Sequence, residues 1–137
     1  TLYNEYVHPD IKRDIVTLID AMKIEKTDDR KIASRLGFAS LNQYYNASHQ
    51  DIVNHFFLRM ISSRYNKPSD IKNSAYLRLA ISLSLLFAFL DNGMELIEKD
   101  VGIRCAILTY KGNNFTMKIY FYYYNNKWLL TDGRHCL

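Results

Sequence analysis

Residues 119–130 read "IYFYYYNNKWLL": five consecutive aromatic residues, Tyr120 to Tyr124, then an Asn-Asn pair and the only tryptophan, Trp128. A helix would spread these rings around its axis, whereas a strand sends alternate side chains to opposite faces. Alternation places Phe115, Met117, Ile119, Phe121 and Tyr123 on one face and Thr116, Lys118, Tyr120, Tyr122 and Tyr124 on the other. Asn125 and Asn126 suit a two-residue hairpin turn, in which both central residues need positive φ. That turn sets Tyr123 opposite Trp128 and Phe121 opposite Leu130, so the stretch reads as two antiparallel strands.

Working outward, the chain after residue 93 is rich in Ile, Val, Thr, Tyr and Phe, and polar turns divide it. Strands are expected near 94–99, 102–110, 115–124 and 127–132. A three-residue loop of Gly112, Asn113 and Asn114 would bring Ile103, Cys105 and Ile107 beside Phe121 and Ile119, with Arg104 outward next to Tyr122; slippage by one residue would invert that face. In this register Cys105 is a core position far from Cys136, and both cysteines are expected to be free thiols.

Before residue 93 the pattern is helical. Pro9 opens a stripe of Ile11, Ile15, Leu18, Ile19 and Met22. Thr27 is the expected cap of a short helix that Gly37 stops. Ser40 with Gln43 has the form of a capping box, and Ser48 caps a helix bearing Ile52, Val53, Phe56, Phe57, Met60 and Ile61. Pro68 is expected to open a long helix to about Leu90, apolar nearly all round and hence covered on several sides. Its "LAISLSLLFAFL" core, residues 79–90, is too short for the roughly 20 residues of a membrane span. The expectation is one α+β domain over 1–137, with N-terminal helices on one face of a curved C-terminal antiparallel meander of three to four strands.

Composition narrows function by exclusion. The 18 basic and 14 acidic residues interleave along the chain instead of forming a stripe, which argues against nucleic acid. His49 and His55 lie six apart and lack the four-residue spacing of a helical metal pair. His135 beside Cys136 reads as a solvated tail. No glycine-rich phosphate cradle or nucleophile elbow occurs, so no catalytic residue, metal or cofactor is assigned. No membrane partner is expected, no leader-like segment opens the chain, and the reading leaves the compartment open, cytoplasmic or periplasmic.

The surface with the strongest interface chemistry is the row Tyr120, Tyr122 and Tyr124 with Arg104 and Lys118, since tyrosine and arginine are enriched at interface anchors. The leading expectation is therefore a non-enzymatic protein-binding domain, for example a bacterial immunity or inhibitor protein that occludes a toxin.

Residues 101–133, "VGIRCAILTYKGNNFTMKIYFYYYNNKWLLTDG", resemble the closing strands of NTF2-like, cystatin-related α+β domains, where two long strands lead through a tight turn into a strand opening with Trp. The resemblance implies helices against a concave sheet, often around a pocket. Here Tyr123 and Trp128 would shape the cavity and Asp132 would stand at its mouth as an acid/base group, the alternative being a small-ligand carrier or pocket enzyme. The chain departs from that pattern at "GFASLNQYY", where such domains commonly carry a strand.

Overall fold

The structure, a computed structural model, describes residues 2–62, 71–90, 95–112 and 115–136. Its elements run α1 (Leu2–Tyr6), α2 (Pro9–Glu25), α3 (Asp29–Arg35), α4 (Leu41–Asn46), α5 (His49–Ser62) and α6 (Ser74–Leu90), then β1 (Glu95–Val101), β2 (Cys105–Gly112), β3 (Phe115–Tyr124), β4 (Lys127–Thr131) and a final 3₁₀ turn, η1 (Gly133–His135). This is the α+β order that the sequence predicts: helices first, antiparallel sheet last. The chain forms two compact units, residues 15–90 and residues 1–14 with 91–137. No helix among the described residues is long and apolar enough to cross a membrane.

In the helical unit, Ile15, Ile19 and Met22 of α2, Ile32 and Ala33 of α3, Tyr44 of α4, Ile52, Val53 and Phe56 of α5, and Ala75, Tyr76, Leu79 and Leu83 of α6 are buried. In α2 and α5 this spacing is the helical stripe read from the sequence. Gly37 takes the left-handed φ of 82° expected of a helix stop. The Ser40 Oγ accepts the Gln43 N–H at 3.1 Å, and Ser48 Oγ accepts that of Asp51 at 3.1 Å.

Two expectations for this unit are corrected. Thr27 does not cap α3: Asp28 stands at the N-cap in a left-handed conformation, and the Thr27 carbonyl accepts from Asn73 instead. Helix α6 begins at Ser74, while Pro68 lies outside the described residues. Its cap is Asn73, whose Oδ1 accepts the Tyr76 N–H at 3.0 Å. Along its described side chains α6 buries Ala75, Tyr76, Leu79 and Leu83 and exposes Leu77 and Ile81.

Asn73 is fully buried, and its Nδ2 also donates to the carbonyls of Met22 and Thr27, both at 3.1 Å. The Glu25 carboxylate meanwhile accepts from the backbone N–H groups of Ser74 and Ala75, where the helix dipole favours an anion. One side chain thus caps α6 and closes the end of α2. Asn73→Leu leaves three buried backbone groups without that partner, and we expect it to lower unfolding free energy by about 2–3 kcal/mol, read from the urea midpoint.

The sheet unit has strand order β1-β2-β3-β4, all antiparallel. Asn125 and Asn126 have φ of 51° and 63°, and Tyr123 faces Trp128 and Phe121 faces Leu130, as the two-residue turn requires. The β2–β3 register differs from expectation by one residue. Gly112 pairs with Phe115, so Ala106 faces Phe121, Leu108 faces Ile119, and Cys105 faces Tyr122. Gly112 extends β2 where the sequence reading spent it on the loop, and the loop itself, residues 113–114, lies outside the described residues. Ile103 consequently leaves the expected core and is 93% exposed. Val7 adds a parallel bridge to Leu130, and the His8 N–H donates to the Leu130 carbonyl at 2.8 Å, closing the β4 side of the sheet.

Candidate functional site

The segment His8-Pro9-Asp10 enters α2 with proline at the first helical position, where its missing N–H costs nothing. His8 is the N-cap: its carbonyl accepts from Ile11 and Lys12, and its Nδ1 accepts the Asp10 N–H at 3.1 Å. The Val7–Leu130 bridge lays this cap over the sheet face that carries Tyr120, Tyr122 and Tyr124. His8 is buried, edge-on to Tyr122 with ring centroids 5.8 Å apart, and 5.4 Å from the Tyr124 ring.

The segment after β4 returns to the same place. Asp132 caps η1 by accepting the Arg134 N–H at 3.1 Å, and the turn carries His135 to a ring distance of 4.2 Å from His8 and 5.5 Å from Tyr122. The turn lies against the sheet, because a Cβ at Gly133 would be in ordinary van der Waals contact with the Tyr120 ring, 3.5 Å from Cζ. Cys136 then bonds to Cys105, with 5.6 Å between their Cα atoms, which corrects the expectation of two free thiols. The physical reason is the register: the one-residue shift turns Cys105 onto the tyrosine face, and η1 brings Cys136 back over it.

Asp10 lies between the two imidazoles. His135 Nε2 stands 2.8 Å from Asp10 Oδ2, His135 Nδ1 stands 2.6 Å from the Thr131 hydroxyl, and His8 Nδ1 stands 3.9 Å from Asp10 Oδ2. One ligand-type atom from each of His8, Asp10 and His135 lies within 4.8 Å of the others. Arg134 brackets the group, reaching Asp14 at 2.5 Å and Asp132 at 3.0 Å, and Arg13 reaches Asp10 at 3.3 Å. Burial holds the His8 pKa below its ordinary value, and the neighbouring His135 lowers it further against the opposing pull of Asp10. The hydrogen bond from His135 holds the Asp10 carboxyl below the usual carboxylate range.

The sequence-predicted surface is only partly assembled. Tyr120 and Tyr122 are half-buried beneath the cap and the turn, Tyr124 is exposed, and Lys118 is exposed on the same face opposite Thr109. Arg104 falls outside the strands; its carbonyl accepts the Tyr123 N–H at 2.7 Å, which sets it across from Tyr123 and not beside Tyr122. Of the expected pocket residues, Tyr123 and Trp128 pair with ring centroids 5.3 Å apart, Tyr123 being exposed. Asp132 is engaged in η1, on the C-terminal side of β4. A shallow depression of about 450 Å³ occurs instead in the helical unit, lined by Arg30, Lys31, Ser34, Arg35 and Arg59.

His8 and Asp10 carry no signal of a site in the sequence. The triplet His-Pro-Asp marks a helix start, and nothing local pairs residue 8 with residue 135. The apolar outer edge is equally silent there. Every residue of β1 is exposed, including Ile97 at 50% and Val101 at 59%.

Comparison with known protein families, characterised proteins and solved structures finds no match. The likeness to NTF2-like domains rests on the quoted strands alone.

Two outcomes are expected. The bridge closes a separation of 31 residues, so Cys136→Ser should lower stability by about 3–4 kcal/mol, measured by denaturant unfolding without reductant. A histidine whose folded pKa is depressed is stabilising when neutral; its contribution is complete above the ordinary value of 6.5 and is lost as pH falls through the depressed value. Asp10 adds a second loss at lower pH, as its own depressed pKa is passed. His8→Asn keeps a capping acceptor without the titration, so in chelator-treated buffer its unfolding midpoint should fall less than the parent's between about pH 7.5 and about pH 5.

Proposed function

We propose that this protein is a non-enzymatic binding domain that takes an extended, basic segment of another protein along the open edge of its sheet. The observation that carries the reading is β1, an outermost strand that is exposed along its whole length and bears Leu96, Ile97 and Val101. Such an edge offers unpaired backbone groups to an incoming strand, and side chains on alternate positions then set specificity.

Charge selects the occupant. Glu95, Glu98 and Asp100 face Lys111, Thr109 and Ile107 of β2, which puts all three carboxylates on one side of the sheet. Two copies of β1 meeting edge to edge would bring that acidic row together, and like charges across a strand pair are destabilising. A partner strand with Lys or Arg alternating with Val or Ile meets the same row favourably. The pairing register shifts between Leu96 and Glu98, a bulge that leaves Ile97 out of the ladder and available to a partner. A toxin neutralised by occlusion of a basic strand falls within this partner class. The alternative pocket reading draws less support, since Asp132 serves as the cap of η1 and an arm of the Arg134 pair.

The test uses capped eight-residue peptides of alternating Lys and Val, or of Glu and Val, followed by fluorescence anisotropy at low salt. The basic peptide should bind, and the double change Glu98→Lys, Asp100→Lys should weaken it roughly tenfold and favour the acidic peptide instead. Equal binding of both peptides, binding of neither, or a concentration-dependent dimer abolished by Ile97→Lys overturns the reading.

A further inference from the structure

We infer that His8, Asp10 and His135 form a binding site for one borderline divalent transition ion, of which Zn(II) is the representative. The site is separate from the β1 edge and does not rest on the protein-binding reading. Two imidazoles and one carboxylate are the donor set that zinc, cobalt and iron(II) select, whereas magnesium and calcium prefer all-oxygen shells.

The geometry needs little adjustment. Bonds of about 2.0–2.2 Å to one ion hold neighbouring ligand atoms about 3–4 Å apart. The separations from Asp10 Oδ2 are 2.8 Å to His135 Nε2 and 3.9 Å to His8 Nδ1, and the whole set lies within 4.8 Å. Asp10 and His135 lie 125 positions apart, yet both imidazoles are anchored. His8 is fixed by the bridge of Val7 to β4, and His135 by the neighbouring Cys136–Cys105 bond.

Thr131 supplies the support that a ligating histidine uses. Without an ion, His135 Nε2–H donates to Asp10 while the Thr131 hydroxyl donates to Nδ1. With an ion on Nε2, the proton moves to Nδ1 and the hydroxyl, which can also accept, receives it. At His8 the ion competes with the Asp10 N–H for Nδ1, exchanging a cap hydrogen bond for a coordination bond. Three protein ligands leave a fourth position, and the part-exposed Asp10 side chain opens it to water or another small ligand.

The probe is the metal alone on the full oxidised chain. Calorimetry with Zn(II) near neutral pH should give one site per chain, and Co(II) should give a visible ligand-field spectrum that Zn(II) abolishes. Magnesium should give neither. Asp10→Asn should cost more than the roughly 10- to 100-fold that Thr131→Val, which removes only the supporting hydroxyl, is expected to cost. Because a variant can lose its fold, the decisive measurement is on the unaltered protein: zinc should shift the imidazole ¹⁵N resonances of His8 and His135 and leave those of His49 and His55 in place. No zinc binding, or shifts confined to His49 or His55, overturns the assignment.

Discussion

One residue of register between β2 and β3 governs the sheet unit. With Gly112 opposite Phe115, the even-numbered positions Thr116, Lys118, Tyr120 and Tyr122 of β3 share their face with Lys111, Thr109, Ile107 and Cys105, while Met117, Ile119 and Phe121 share theirs with Tyr110, Leu108 and Ala106. A strand has a side-chain period of two, so the neighbouring register would send Cys105 to the opposite side, away from Cys136. The disulfide follows from that single offset, while η1 and the meeting of His135 with His8 are set from β4. The β3–β4 turn fixes the next pair of strands in the same way, since two asparagines at positive φ leave that hairpin little freedom to slip.

The tyrosine face is then a platform on which the Val7–His8 segment and the η1 turn are fixed. Here the N-terminal segment is held by a backbone bridge to β4 and by buried Tyr3 and Val7, and the C-terminal turn by Asp132, Arg134 and a covalent bond. The half-buried Tyr120 and Tyr122 rings fill the space beneath, while Tyr123 and Tyr124 stay exposed. Histidine at the cap is the costlier choice there, because asparagine or aspartate would satisfy the same N–H without burying a titratable ring beside another. That choice is what separates a structural cap from a pair of imidazoles placed to share an ion.

What the sequence disclosed follows the range of the interactions involved. Local chemistry was legible: the stripes of α2 and α5, the stop at Gly37, the cap at Ser40, and the turn at Asn125 and Asn126 each depend on residues within a few positions of one another. The interactions that join distant residues were not. Asn73 reaches Met22 and Thr27, Glu25 reaches the start of α6, and Asp10 reaches His135 across 125 positions, and no local pattern encodes any of them. The cysteines carried the one long-range hint, and the wrong register concealed it.

The two edges of the sheet are treated differently, and the difference bears on function. On the β4 side, Val7 pairs with Leu130, and Lys127 lies 6.0 Å from the centre of the Tyr6 ring, so backbone and side chains there are engaged. On the β1 side no such closure is built from the described residues, and protection against indiscriminate pairing comes from a bulge and an acidic row. Those devices discourage a second copy of the same strand but not a basic one. The edge also carries Lys99, which lies on the opposite face from the three carboxylates. With three carboxylates segregated to one side and Ile97 and Val101 left exposed, the edge has the face-specific charge on which the proposed basic partner depends.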